Sequence, residues 1–210
     1  MGSLFDINGK FFQKVMRAAD LVLLNLLTLL CCLPVVTIGP AVCAMHYVLL
    51  RDLRNEEGGL LRDFFRSFRQ NLKQGIALTV GYLFFFLILA ADYALAMHTQ
   101  RWILTLVLYA LPFLALLGCL SLCWAFVLLS RYQMTLWQTV KTTFAATIAH
   151  PIRSLAMTAL MVLPFLLLVL TPLAVPVFLF FGLTLCGLLR ARLYAPVLTA
   201  LETPPDTTDI

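Results

Sequence analysis

The chain reads as an all-α, polytopic membrane protein, a helical bundle of apolar segments joined by short polar loops. Three observations carry that reading. Hydrophobic residues fill 62% of the 210 positions and charged ones only 12%, well above the roughly 45–50% apolar share of soluble domains. Mean hydropathy is +0.96. The apolar residues also fall in runs long enough to cover a hydrocarbon core of roughly 30 Å at about 1.5 Å per residue. No Ser/Gly/Pro-rich linker divides them, so residues 1–199 are expected to form one integral membrane domain. Residues 200–210, ending in "ETPPDTTDI", are expected to be a disordered tail.

From the N-terminal side, residues 21–50 are apolar at both ends and broken in the middle by Pro34, Gly39 and Pro40. Two paths suit them. A single crossing gives five membrane segments; a tight outer turn at "PVVTIGP" gives six segments in three hairpins. Residues 38–50 reach only about 20 Å as a helix, so the second path needs snorkelling by Arg51 and Arg54 or local bilayer thinning.

Next comes "LLRDFFRSFRQNLK", residues 60–73. Leu60, Leu61, Phe64, Phe65, Phe68 and Leu72 recur at helical spacing, and Arg62, Arg66, Arg69 and Lys73 repeat on the opposite face. That pattern predicts an amphipathic interfacial helix, with phenyl rings at the acyl boundary and guanidinium groups among lipid phosphates. Such a helix serves as an orienting foot docked on the bundle or as a partner-binding surface. Residues 75–97 and 102–130 then form a hairpin over "HTQR". Residues 131–150 hold a weaker amphipathic stripe of Leu136, Trp137, Val140, Phe144 and Ile148. The 38 mostly apolar positions of 152–189 would make a helix of about 57 Å, too long for one crossing. A turn is therefore placed at "TPLAVP", residues 171–176, among Pro164, Pro172 and Pro176.

Charge bears on the choice of path. With a turn at "PVVTIGP", fourteen of the fifteen Lys and Arg lie on one side of the membrane and Arg101 alone on the other. A single crossing gives eleven against four. The positive-inside rule prefers the turn, and it places the N-terminus, residues 51–74, residues 131–151 and the C-terminus in the cytoplasm of a cell membrane. Cleavage of a signal peptide at "AVCA" would reverse this charge pattern. The net charge of +5 is what loops facing anionic lipid require, and nucleic acid is not an expected partner.

Two stretches, "LFDINGKFFQKVMRAADLVLLNLL" and "LPVVTIGPAVCAMHYVLLRDLRNEEGGLLRDFFRSFRQNLKQG", resemble the YesL-like family of small bacterial membrane proteins. The similarity spans about residues 4–75. It implies a setting of carbohydrate uptake or breakdown, with a carbohydrate transporter or sensor subunit as partner. It supplies no reaction and no catalytic residues.

The residues themselves offer little chemistry. Cys31, Cys32, Cys43, Cys119, Cys123 and Cys186 all lie in apolar runs, where thiols act as small hydrophobes. No metal site, cofactor or catalytic residue is expected. Glu56 and Glu57 suit helix capping. Polar groups inside the apolar runs are the better candidates, because in lipid each must find a partner or face water. These are Asn25, His46 and Asp92. Asn25 and His46 would meet across the first hairpin, as an interhelical hydrogen bond or as a substrate contact. Backbone freed at 34–40 could bind a ligand, although a tight turn accounts for the same residues. The leading expectation is an accessory or regulatory membrane subunit rather than an enzyme, with a small-solute transporter as the alternative.

Overall fold

A computed structural model describes residues 10–54, 58–97, 102–132, 134–171 and 174–202. Helices α1 (Lys10–Cys31), α2 (Ile38–Leu53), α3 (Leu60–Gln70), α4 (Leu72–Met97), α5 (Trp102–Arg131), α6 (Leu136–Ala149), α7 (Pro151–Leu170), α8 (Ala174–Val177) and α9 (Leu183–Glu202) make an all-α membrane bundle. Among the described residues, five segments are long and apolar enough to cross a membrane, at 35–53, 72–97, 109–131, 151–170 and 175–198. Large apolar side chains such as Leu87 on α4, Tyr109 on α5 and Val169 on α7 stand on the outside. That surface would be a liability in water and is at home among acyl chains. The "HTQR" connection, Pro172 and residues 203–210 lie outside the described residues. Residues 200–202, expected in the tail, belong to α9, which continues to Glu202.

The first segment turns back. α1 buries Leu24, Asn25 and Thr28 at helical spacing and stops at Cys31. Pro34 opens a short 3₁₀ turn over Val35–Thr37, and the Thr37 hydroxyl lies 2.7 Å from the Cys31 carbonyl and 2.8 Å from that of Pro34. Arg17, Asp20 and Leu24 of α1 then share a cleft with Val48, Leu49 and Asp52 of α2. The arms are thus antiparallel. Together with α4/α5 and with α7 against α8 and α9, they complete three hairpins.

Gly39 and Pro40 are not part of the break. Both lie in the first turn of α2 and are buried against the first turns of α4. A Cβ built on Gly75 would stand 2.8 Å from the Pro40 ring and 2.9 Å from its nitrogen, and one on Gly39 would strike Thr79 and the Gly75 carbonyl. These glycines permit a close helix approach of the small-residue kind.

The helix expected over 60–73 divides at Asn71, and Lys73 belongs to α4. Backbone hydrogen bonds carry across the junction, from the Asn71 amide to the Ser67 carbonyl at 3.0 Å and from the Gly75 amide to the Asn71 carbonyl at 2.7 Å. α3 is therefore a kinked extension of α4. Arg51 of α2 pairs with Asp63 of α3, while Pro40 meets Gly75. As α2 is read backwards α3 and α4 are read forwards, so α2 runs antiparallel to both in turn.

This geometry corrects the depth of the first turn. Half of α2 lies along α3, and the 35–37 turn packs on α4 at a cavity bounded by Tyr82, Leu83 and Phe86. About 16 Å of α4 continues past Phe86 to Met97. The tip thus sits part-way along α4 rather than level with its far end.

The apolar face of α3 falls differently from expectation. Phe64 is fully buried and Phe68 half-buried against Leu50 and Leu53, whereas Phe65 and the three arginines are exposed. The main apolar contact of α3 is thus protein. In α6, by contrast, the buried face is Thr139, Thr143 and Thr147, and Trp137, Phe144 and Ile148 point outward. A capping box between Thr135 and Gln138 starts that helix.

The core gathers where α2 meets its neighbours. Trp124 of α5 is fully buried and donates through Nε1 to the Ser154 hydroxyl at 2.8 Å. Leu24, Leu49, Phe64, Met157, Tyr194 and Leu198 surround it from five other helices.

Candidate functional site

The intramembrane polar residues do not form one cluster. Asn25 serves α9. Between α8 and α9 the helix widens into a π turn over Phe178–Gly182, which takes in an extra residue and leaves backbone groups out of register. Asn25, fully buried on α1, supplies them. Its Nδ2 donates to the carbonyls of Phe178 at 3.1 Å and Leu179 at 2.7 Å. Its Oδ1 accepts from the amides of Leu183 at 2.9 Å and Thr184 at 3.0 Å. An amide side chain has two donors and two acceptor sites, and all four are used. The Thr184 hydroxyl adds a bond to the Leu21 carbonyl at 3.1 Å. Asn25 is consequently a structural latch, and the expected contact between Asn25 and His46 is replaced by this one.

His46 faces α9 one stage further along. Its Nδ1 lies 3.1 Å from the Tyr194 hydroxyl, and the two rings meet edge-on with centroids 5.6 Å apart. Both residues are fully buried. The Nε2 atom of His46 has no hydrogen-bond partner. Whichever ring nitrogen carries the proton, one buried polar atom is left unsatisfied, and such an atom costs about 1–3 kcal/mol.

Beside this pair stands Arg190, one helical turn before Tyr194 and within electrostatic reach of it and of His46. Only 6% of Arg190 is exposed, and its Nε has no partner. It looks into a cavity of about 390 Å³ that extends to the 35–38 turn. Val42, Met45, Leu83, Phe86, Phe126, Met161, Phe165 and Phe178 make most of its wall, and no Asp or Glu lines it. The size is that of a small-molecule pocket. A buried guanidinium among such walls is a costly arrangement.

Asp92 is elsewhere, on the exposed face of α4, and no hydrogen bond or ion pair holds it among the described residues. Arg62, Phe65, Arg66 and Arg69 share the exposed side of α3, with Phe64 and Phe68 turned inward. Pro34 opens the turn, and Gly39 and Pro40 shape the contact with α4. Cys123 packs 3.4 Å from the Thr158 hydroxyl and Cys43 3.4 Å from the Phe126 carbonyl, as small buried side chains. Glu56, Glu57 and His98 lie outside the described residues.

Sequence reasoning passed over Arg190 and Tyr194, which stand where an apolar run gives way to basic residues and read as a loop flank. Their signal is the i, i+4 spacing of Cys186, Arg190 and Tyr194 along one face.

Residues 21–93 match the family described as "Protein of unknown function, DUF624". The match covers α2 and α3 with half of α1 and most of α4, and so contains Asn25, His46 and the Gly39–Gly75 contact. Arg190 and Tyr194 lie outside it. No curated protein and no solved structure matches the chain.

Proposed function

We propose that this chain is a YesL-like accessory or regulatory component of a bacterial cell membrane, without enzymatic activity of its own, acting beside carbohydrate uptake or sensing machinery. The observation that carries this reading is the outer face of α3. Arg62, Arg66 and Arg69 are exposed there together with Phe65 and Leu61, while Phe64 and the Arg51–Asp63 ion pair hold the helix to α2. A rigid helix that presents arginines around an aromatic ring has the composition of a protein-binding surface. The charge distribution supports an orientation with this face, both termini and α6 in the cytoplasm.

A photocrosslinking residue at position 65 or 66, in cells growing on sugars, tests the proposal. Capture of a subunit of a carbohydrate transporter or sensor is expected, with loss of the crosslink when Arg62, Arg66 and Arg69 are replaced together. Lipid adducts alone would overturn it. Small-solute transport is the second reading, favoured by the cavity at Arg190. Solute flux through liposomes containing the purified chain would support that reading, and sugar flux would displace the first.

A further inference from the structure

The cavity beside Arg190 carries an inference independent of the accessory role. A guanidinium removed from water is tolerated when an anion or hydrogen-bond acceptors surround it, because desolvation otherwise costs several kcal/mol. Among the described residues Arg190 has neither: its buried Nε is unpartnered, and no ion pair joins it to an acid. The neighbouring His46–Tyr194 pair offers no carboxylate. Asp63 is committed to Arg51. The rest of the wall is hydrocarbon and aromatic carbon with the thiols of Cys32 and Cys186, two thioethers, and the hydroxyls of Tyr82 and Thr79. Tyr82 is already bonded to Ser121 at 3.0 Å and Thr79 to the Gly75 carbonyl at 2.7 Å.

The unmet need of this site is thus one negative head at the Arg190 end and an apolar body along the remaining length. Neither a sugar nor an inorganic ion has that shape. A sugar would leave its hydroxyls unsatisfied against Phe86, Phe126 and Phe165, and a bare anion would leave the apolar walls empty. We propose that the cavity binds an amphiphilic anion, whose carboxylate or phosphate head pairs with Arg190 and whose hydrocarbon body lies against Val42, Met45, Phe126 and Phe178. Forked donation from a guanidinium suits either head group. The source is a free fatty acid in the first case and a lipid phosphate in the second.

The test uses the full chain in an uncharged detergent, with a fluorescent acyl carboxylate as probe. Competitors share one oleoyl-type chain and differ in head: oleate, lysophosphatidate, lysophosphatidylcholine and oleyl alcohol, with inorganic phosphate as the tailless control. Oleate or lysophosphatidate should displace the probe at concentrations at least about tenfold below those of the zwitterionic and neutral compounds, as one charge-assisted contact implies. Inorganic phosphate should not displace it. Which of the two anions is stronger assigns the source. Arg190→Gln should abolish the preference for an anionic head, and Arg190→Lys should retain part of it. Val42→Phe, which fills the cavity and leaves Arg190 in place, should weaken binding of every chain. Should Arg190→Gln fail to fold, the head-group series on the unaltered protein still decides. Displacement regardless of head group would overturn the proposal, as would displacement by inorganic phosphate equal to that by oleate, or an anion preference unchanged in Arg190→Gln.

Discussion

Replacing Asn25 tests the latch between α1 and α9. Asn25→Ala removes four hydrogen bonds to the backbone around the π turn. Side-chain hydrogen bonds within membrane proteins average about 0.6 kcal/mol and reach about 1.7, so four are worth about 2–7 kcal/mol. The upper part of that range is expected, because the partners are backbone groups with no water close by, and leaving each bare costs about 1–3 kcal/mol. The helix cannot escape cheaply by closing the π turn into regular α. Losing one residue from the bulge would rotate α9 by about 100° and carry Tyr194 away from His46. Asn25→Asp separates hydrogen bonding from shape. It keeps the volume but sets an oxygen against the Phe178 and Leu179 carbonyls, so it should destabilise at least as much as alanine. Unfolding of the intact protein in mild detergent, followed by tryptophan fluorescence, measures both. If Asn25→Ala and Asn25→Asp each lie within about 0.5 kcal/mol of the unaltered chain, the additive reasoning behind the latch is refuted.

Gly75→Ala should cost about 1–3 kcal/mol by overpacking, because its Cβ would meet the Pro40 ring and nitrogen, neither of which can swing aside. Gly81→Ala, whose Cβ meets nothing within 4 Å, should be neutral or stabilise by up to about 1 kcal/mol through helix propensity; the same unfolding assay compares the two. Phe64→Ala should lose about 3–5 kcal/mol, since the ring is fully buried, and Phe65→Ala should stay within about 1 kcal/mol. Equal losses at 64 and 65 would mean that α3 is held by lipid rather than by α2. Thr143→Val removes a buried hydroxyl that has no partner and should stabilise α6 packing by about 1 kcal/mol; a shift of the unfolding midpoint to lower denaturant would contradict it.

The turn of the first segment was legible for a reason that also limited it. Counting cations on alternate sides reports only whether the chain returns, and not how far it went in. A hairpin that spans the core and one that stops beside Phe86 give the same fourteen-to-one division. Likewise, apolar periodicity identified the amphipathic character of 60–73 but not its partner, because an acyl chain and the side of α2 are equally apolar. The arginines marked the outer side correctly. In α6 the apolar stripe faces outward, as an interfacial helix places it, and the pattern did not show which residues make the bundle contact. Thr139 and Thr147 satisfy their hydroxyls on carbonyls four residues back, at 3.1 and 2.8 Å, and so offer a small, internally bonded surface against α5, while Trp137 and Ile148 are left facing outward.

Asn25 and His46 were found because a polar side chain in a membrane run is costly by itself, whatever surrounds it. Their partners could not be found that way. The π turn that Asn25 completes lies more than 150 residues along the chain, and the Tyr194 hydroxyl that meets His46 is almost as distant. Composition and run length determined that the chain is a helical membrane protein, since lipid accepts no other way of bonding the backbone of such runs. Cation placement favoured a first segment that returns, and α1 and α2 do run antiparallel. The tertiary structure alone decided which polar groups are satisfied and which, at Arg190, are not, because satisfaction is a property of pairs and sequence presents only one member of each.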